Sequence, residues 1–253
     1  MKTIKSLLAA LLLFLSSLSV LAQSAEAKPT IIFVHGIWAD GSSWRTQITE
    51  LQAKGYPVTS VQNPITSLAD DVAATKRAIT NAKGRVILVG HSWGGFVISQ
   101  AGNDPKVAGL VYVAAFAPDQ NETIKSLSAK GPAVKLADYF RPQGGFIYLS
   151  HLGIKTVFAQ DLTPAQQNVI FATQTPGAET VFTDKSGPPA WKTKPSWYIV
   201  AKNDRAISPD LERFMAKRIK ASTTEIGASH VVMMSHPTEV LKVILQAAEK
   251  SGK

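Results

Sequence analysis

The chain has 253 residues, the length of one ordinary enzyme domain, and no cysteine, which excludes disulfides, thiolate metal sites and a cysteine nucleophile. The formal net charge is +9. The cations are scattered and form no dense run or nucleic-acid motif, so no nucleic-acid partner is expected. Residues 1 to 25 read as a signal peptide. Met1 to Lys5 is a short positive segment, Leu7 to Leu21 is apolar apart from a few serines, and Val20-Leu21-Ala22 offers cleavage before Gln23. Ala25-Glu26-Ala27 is a later candidate. The apolar run falls short of the ~20 residues of a membrane span, and no cysteine follows it to carry a lipid. A cleaved leader, a periplasmic or secreted product and no stable membrane insertion after cleavage are expected. Loss of Lys2 and Lys5 would leave about +7.

Residues 28 to 250 read as one domain. Thr30 to Val34 is a continuous apolar, β-branched run, as in a parallel strand buried on both faces. His35-Gly36-Ile37-Trp38 follows it. Ser42 to Lys54 carries Trp44, Ile48 and Leu51 at helical spacing, and Gly55 ends that helix. Tyr56 to Val61 is a second strand. Ser67 to Asp70 forms a capping box for a helix with Leu68, Val72 and Ile79 on its apolar side. Val86 to Val89 is the third strand and Val107 to Ala114 the fourth. From about 119 to 190 strand-like runs fade and breaks multiply, among them Gly131-Pro132, Pro142, Gly144-Gly145 and Gly187-Pro188-Pro189. Modest helical pieces remain, such as one capped by Thr163 with Pro164 first. This stretch is read as a cap inserted between two core strands. Ser196 to Ala201 is strand five. Ser208 caps a helix through Ile219, Thr223 to Ile226 is a shorter sixth strand, and Val240, Leu241, Ile244, Leu245 and Ala248 stripe the last helix. Alternating strands and helices imply an α/β fold, a mostly parallel six-stranded sheet with helices on both faces.

The third strand runs into Gly90-His91-Ser92-Trp93-Gly94, and Gly95 to Ser99 can open a helix. In that context G-x-S-x-G is a nucleophile elbow, with Ser92 at the tip of a sharp turn. The sites of parallel sheets lie beyond the C-terminal strand ends. Asp204 falls there after strand five and His230 after strand six. The order Ser, Asp, His is the one this elbow uses. A serine hydroxyl needs a neutral imidazole to take its proton, which makes His230 the candidate base and Asp204 its orienting acid. Asp119, after strand four, is the alternative acid. His35 reads as a loop-shaping residue, His91 as turned away from the site, His236 as a cap-region residue before Pro237, and His151 as part of the insertion. The oxyanion hole would use the backbone N–H groups of Trp93 and Ile37. Trp38, Phe116 and Trp191 are candidates for the walls of the substrate pocket. No cofactor is implied, because no dinucleotide fingerprint follows the first strand, and no metal, because the histidines form no ligand motif.

The stretches His35-Gly36, Gly90-His91-Ser92-Trp93-Gly94-Gly95, Tyr198 to Asp204 and Ala228-Ser229-His230 resemble the α/β-hydrolase superfamily. More narrowly, the chain is similar to the branch holding plant methyl-ester esterases and hydroxynitrile lyases with their bacterial relatives. The resemblance covers nearly everything from Lys28 to Ala248. It implies a Ser92, Asp204, His230 triad with Ile37 and Trp93 as oxyanion donors. The lyases carry threonine after the first-strand histidine and lysine after the catalytic one; here Gly36 and Val231 stand there. Both departures favour hydrolysis of a small or medium, partly apolar ester through an acyl-enzyme. Another Ser-His-Asp reaction on the same fold, that of a hydroxynitrile lyase, perhydrolase or carbon–carbon bond hydrolase, is the alternative, and a non-catalytic binding protein on the scaffold is the other. The oligomeric state is not legible.

Overall fold

Thr30–Val34 forms strand β1, buried along its whole length, in the computed structural model of the chain, which describes residues 27–251. The expected signal peptide lies outside the described residues. Asp40 caps a short 3-10 turn, Gly41–Trp44, that leads into α1 (Arg45–Ala53). Then come β2 (Val58–Val61), α2 (Leu68–Asn81), β3 (Val86–His91), α3 (Gly94–Ala101) and β4 (Val107–Val113). Ser67 caps α2 as expected, accepting from the Asp70 amide. Its hydroxyl also donates to the Asp70 carboxylate at 2.7 Å.

The chain between β4 and β8 (Ser196–Ala201) corrects the sequence reading of that stretch as short helices and breaks. It holds α4 (Ile124–Ser128) and α5 (Pro164–Thr173). It also holds an antiparallel three-stranded sheet made of β5 (Phe140–Gln143), β6 (Phe146–Leu149) and β7 (Gly177–Ala178). Gly144 and Gly145 are the two loop residues of the β5–β6 hairpin, with φ of 60° and 80°. Positive φ at both positions is what a twisted two-residue hairpin requires, and glycine adopts it freely. The pair therefore joins two strands rather than interrupting them. Thr163 and Gln166 close a reciprocal capping box on α5, with Pro164 at its first position. After β8 come α6 (Pro209–Arg218), β9 (Ser222–Ile226) and α7 (Pro237–Lys250). Ser208 stands at the N-cap of α6, but its side chain makes no capping hydrogen bond. That part of the sequence expectation does not hold.

The main sheet has six strands in the order β2-β1-β3-β4-β8-β9, all parallel. The chain moves outward from β1 to β2, returns to β3 and then proceeds the other way. Right-handed crossovers place α1 on one face and α2, α3 and α6 on the other. The packing agrees: α1 meets α7, and α2 meets α3. Strands β1, β3, β4 and β8 are buried on both faces, so their runs are continuously apolar rather than alternating. The register pairs Val34 with Gly90, His91 with Val113, Val113 with Ile199 and Ala201 with Ile226. Five C-terminal strand ends thus share one edge. The reversal between β1 and β3 opens the crevice where such sheets bind ligands. No described helix is long and apolar enough to cross a membrane.

Candidate active site

Ser92 sits in that crevice. It follows β3 directly and has φ of 53°, a left-handed backbone rare for a residue with a side chain. The strained turn is held from both sides. The Ser92 carbonyl accepts from the amides of Gly95 at 3.0 Å and of Phe116 at 3.1 Å. The elbow also demands close backbone approach. A Cβ at Gly36 would stand 2.6 Å from the Ser92 Cβ, and one at Gly90 would stand 2.7 Å from the Gly94 carbonyl oxygen.

His230 and Asp204 pair beyond the C-terminal ends of β9 and β8. Asp204 Oδ2 lies 2.5 Å from His230 Nδ1, and both side chains are buried. The other carboxylate oxygen accepts from the amides of Ala206 at 2.6 Å and Ile207 at 3.0 Å, so the turn after β8 fixes the carboxylate. A carboxylate bound this way accepts from Nδ1–H, which leaves Nε2 as the basic nitrogen of the ring. Ser92 and His230 line one cavity of about 470 Å³.

The remaining histidines are occupied elsewhere. His35 accepts the Asn63 amide at Nε2 (3.0 Å), so its Nδ1–H donates to the Gly36 carbonyl at 3.0 Å. Burial holds its pKa below the ordinary value, and it shapes the loop after β1. His91 is not turned wholly away from the site. Its ring lies 4.6 Å from that of His230, and its Nε2 is 3.0 Å from the His230 carbonyl. Burial first, and the His230 ring second, keep it well below the usual imidazole range. A neutral His91 supports the loop that carries His230. His151 bonds Asn168 and His236 bonds Ser235. Asp119 pairs with Lys192 at 2.6 Å on the surface.

Ile37, Trp93, Trp38 and Phe116 line the cavity with Ser92. Trp93 opens α3, where the first N–H groups of a helix have no partner within it. Trp38 is fastened to the cap, its amide donating to Thr175 and its indole to Ile147, each at 2.8 Å. Phe140 and Phe182, from the same insertion, complete the wall beside it. Trp191 lies outside the lining. Its indole donates to the Pro118 carbonyl at 2.8 Å, and Arg218 and Lys192 stack on its ring.

Two buried carboxyl groups near the site escaped the sequence reading. Glu212, on α6, is fully buried. Its Oε2 accepts the Ala201 amide at 2.9 Å. Burial, and then the Asp204 carboxylate, push its pKa well above the ordinary value. Asp71, on α2, is also fully buried and accepts from the Trp93 indole at 2.7 Å. Each lies on the apolar side of its helix, three or four positions from buried neighbours: Leu68 and Thr75 for Asp71, Met215 and Ala216 for Glu212. That periodicity was the available signal.

An elbow serine and a buried His–Asp pair at the switch point of a parallel sheet define a serine-hydrolase-type α/β protein. The chain belongs to the Alpha/beta hydrolase family, whose model matches residues 31–243. It is similar to the Alpha/beta hydrolase nvfD of Aspergillus novofumigatus, 24% identical over 244 residues that cover 87% of this chain and 97% of that protein. It is also similar to Methylesterase 7 of Arabidopsis thaliana, 26% identical over 255 residues, with 87% and 96% covered. Among solved structures, polyneuridine aldehyde esterase matches with a TM-score of 0.76 at 20% identity, over 87% of this chain and 98% of that one. At that identity the likeness concerns the fold.

Proposed function

We propose that the protein hydrolyses a small or medium, partly apolar carboxylic ester through an acyl-enzyme. The observation that carries this is the His230–Asp204 pair, which leaves Nε2 as the base in a cavity shared with Ser92. Ser92 Oγ attacks the ester carbonyl while His230 Nε2 takes its proton. The amides of Ile37 and Trp93 hold the tetrahedral oxyanion. His230 then gives the proton to the leaving alcohol. A water activated by the same nitrogen adds to the acyl-enzyme and releases the acid. Asp204 keeps the ring in the Nδ1–H form and stabilises the imidazolium.

Methylesterase 7 and polyneuridine aldehyde esterase carry ester chemistry in their names, which accords with this reading. So does Gly36. The lyases of the resembled branch carry threonine there, and a side chain would collide with Ser92. Trp38 and Phe116 are read as walls for the apolar part of the substrate, and residues 119 to 190 as the cap that sizes the pocket. Residues 1 to 25 are read as an export signal that places the mature protein in the periplasm or outside the cell. A fractionated host culture should yield there a chain beginning at Gln23 or Lys28 by mass spectrometry; an uncleaved cytoplasmic chain would refute it.

The function is tested with p-nitrophenyl esters of increasing acyl length. The wild type should turn over with an optimum at short or medium acyl chains. Ser92→Ala should lose on the order of 10⁴-fold or more in kcat with its fold intact. Equal turnover by both proteins would sink the reading.

A further inference from the structure

Asp71 has no part in the hydrolysis as described above, yet it is a fully buried carboxyl group wired to the reacting centre. Its Oδ2 accepts from the indole Nε1–H of Trp93 at 2.7 Å, and its Oδ1 accepts from the Ile65 amide at 2.9 Å. Trp93 directly follows the nucleophile. Ile65, with φ of 51°, belongs to a loop on which the cap rests. The Ile65 carbonyl accepts from the Ala178 amide at 2.9 Å. The Thr66 carbonyl accepts from the Thr180 hydroxyl at 3.3 Å. The Leu68 amide donates to the cap carboxylate of Asp184 at 2.8 Å. One carboxylate therefore joins the elbow, the entry to α2 and the cap segment that carries Phe182.

Both of its partners are donors, so both oxygens must accept. Protonation would turn one oxygen into a hydroxyl, a weaker acceptor for its N–H donor than a carboxylate oxygen. We propose that Asp71 is a positioning residue for ester hydrolysis, its carboxylate clamping the Trp93 side chain so that the Trp93 backbone N–H meets the oxyanion. The proposal rests on the serine-hydrolase reading given above. Burial raises the Asp71 carboxyl to about 6. The Trp93 and Ile65 donors hold it down against that rise. The charged groups that face it are the carboxylates of Asp70, on its own helix, and Asp184, from the cap, and both raise it further. Protonation below that value weakens the clamp.

The test uses Asp71→Asn, Trp93→Phe and the double variant, with initial rates on a short-chain p-nitrophenyl ester across pH. Asn offers one acceptor and places an amide donor against a donor. Phe keeps the ring and removes the indole N–H. Each single variant should lose on the order of tenfold or more in kcat with KM changed far less, as expected when a reacting geometry is displaced. The double variant should lose no more than the worse single one. The acid limb of wild-type log(kcat/KM) should be steeper than one proton, since His230 must be neutral and Asp71 ionised. Either variant should reduce it to a single proton. If Asp71→Asn does not fold, Trp93→Phe alone carries the same rate and slope tests. Wild-type kcat and a two-proton limb in the folded variants would overturn the role of Asp71 while leaving the hydrolase reading standing. Additive losses in the double variant would also overturn it. Wild-type protein without Ser92-dependent turnover would overturn both together.

Discussion

Glu212 is fully buried on α6, its carboxyl pushed well above the ordinary value by burial and by the Asp204 carboxylate. Burial, and after it the neighbouring Asp204 carboxylate, thus favour the protonated form of Glu212. The arrangement has a consequence for stability. Above the ordinary glutamate pKa the unfolded chain releases the Glu212 proton while the folded chain keeps it. The folded state then binds more protons, so stability falls as pH rises, by ~1.4 kcal/mol per pH unit until the folded pKa is reached. Glutamine has nothing to titrate and can still donate toward Asp204. Glu212→Gln should therefore gain on the wild type as pH rises above the ordinary glutamate pKa, read as a widening difference in Tm. Parallel Tm curves would show that Glu212 is not held neutral. Asp71 tilts stability in the same direction over a narrower window, from its ordinary value of 3.8 to about 6.

The cap hairpin is the element on which sequence and structure part most clearly. Gly144 and Gly145 have open space where a Cβ would go, so substitution there meets no neighbour. What resists is the left-handed backbone, at ~1–2 kcal/mol per residue with a side chain. The double substitution of both glycines by alanine should thus cost roughly 2 kcal/mol, seen in urea as a lower midpoint with unchanged slope. An unaltered midpoint would contradict the hairpin turn. The core strands were legible because burial on both faces of a parallel sheet demands continuous apolar runs, as Thr30 to Val34 and Val86 to Val89 display. The β5–β6 hairpin was not, because Phe140–Gln143 carries an arginine and a proline on a mostly exposed strand. Ser92, Asp204 and His230 could be placed in sequence because each follows a recognisable strand. Asp71 and Glu212 read as ordinary helix-start acids beside Asp70 and Asp210, although their spacing to buried neighbours puts them on the inward faces of α2 and α6. Trp191 stood among the candidate pocket aromatics with Trp38 and Phe116. Its indole instead closes on the Pro118 carbonyl, which takes the ring out of the cavity.

Across the whole molecule, cap and core are tied at several places, among them the Ile65 to Leu68 segment, Trp38, and the bonds of Gln160 to Asn203, Arg205 to Thr156 and Ser229 to Asp161. Trp38 has φ of 60°, an outlier for so bulky a residue, which persists only where the surroundings over-determine it. Here they do: the amide is bonded to Thr175 and the indole to Ile147, while the ring packs 5.3 Å from Phe140 and 6.0 Å from Phe158. Trp38 thus couples the loop that carries Ile37 to the hairpin that walls the cavity. Trp38→Phe keeps an aromatic ring and the backbone bond but leaves the Ile147 carbonyl, on a buried hairpin residue, without its donor. An unpaired buried acceptor costs about 1–3 kcal/mol, enough to let the hairpin shift relative to the loop. KM for a medium-chain ester should then rise several-fold while kcat changes less, because Ile37, Trp93 and the His230–Asp204 pair keep their own supports. A collapse of kcat at constant KM would reverse the assignment, placing the indole bond in service of the oxyanion loop rather than of the pocket wall.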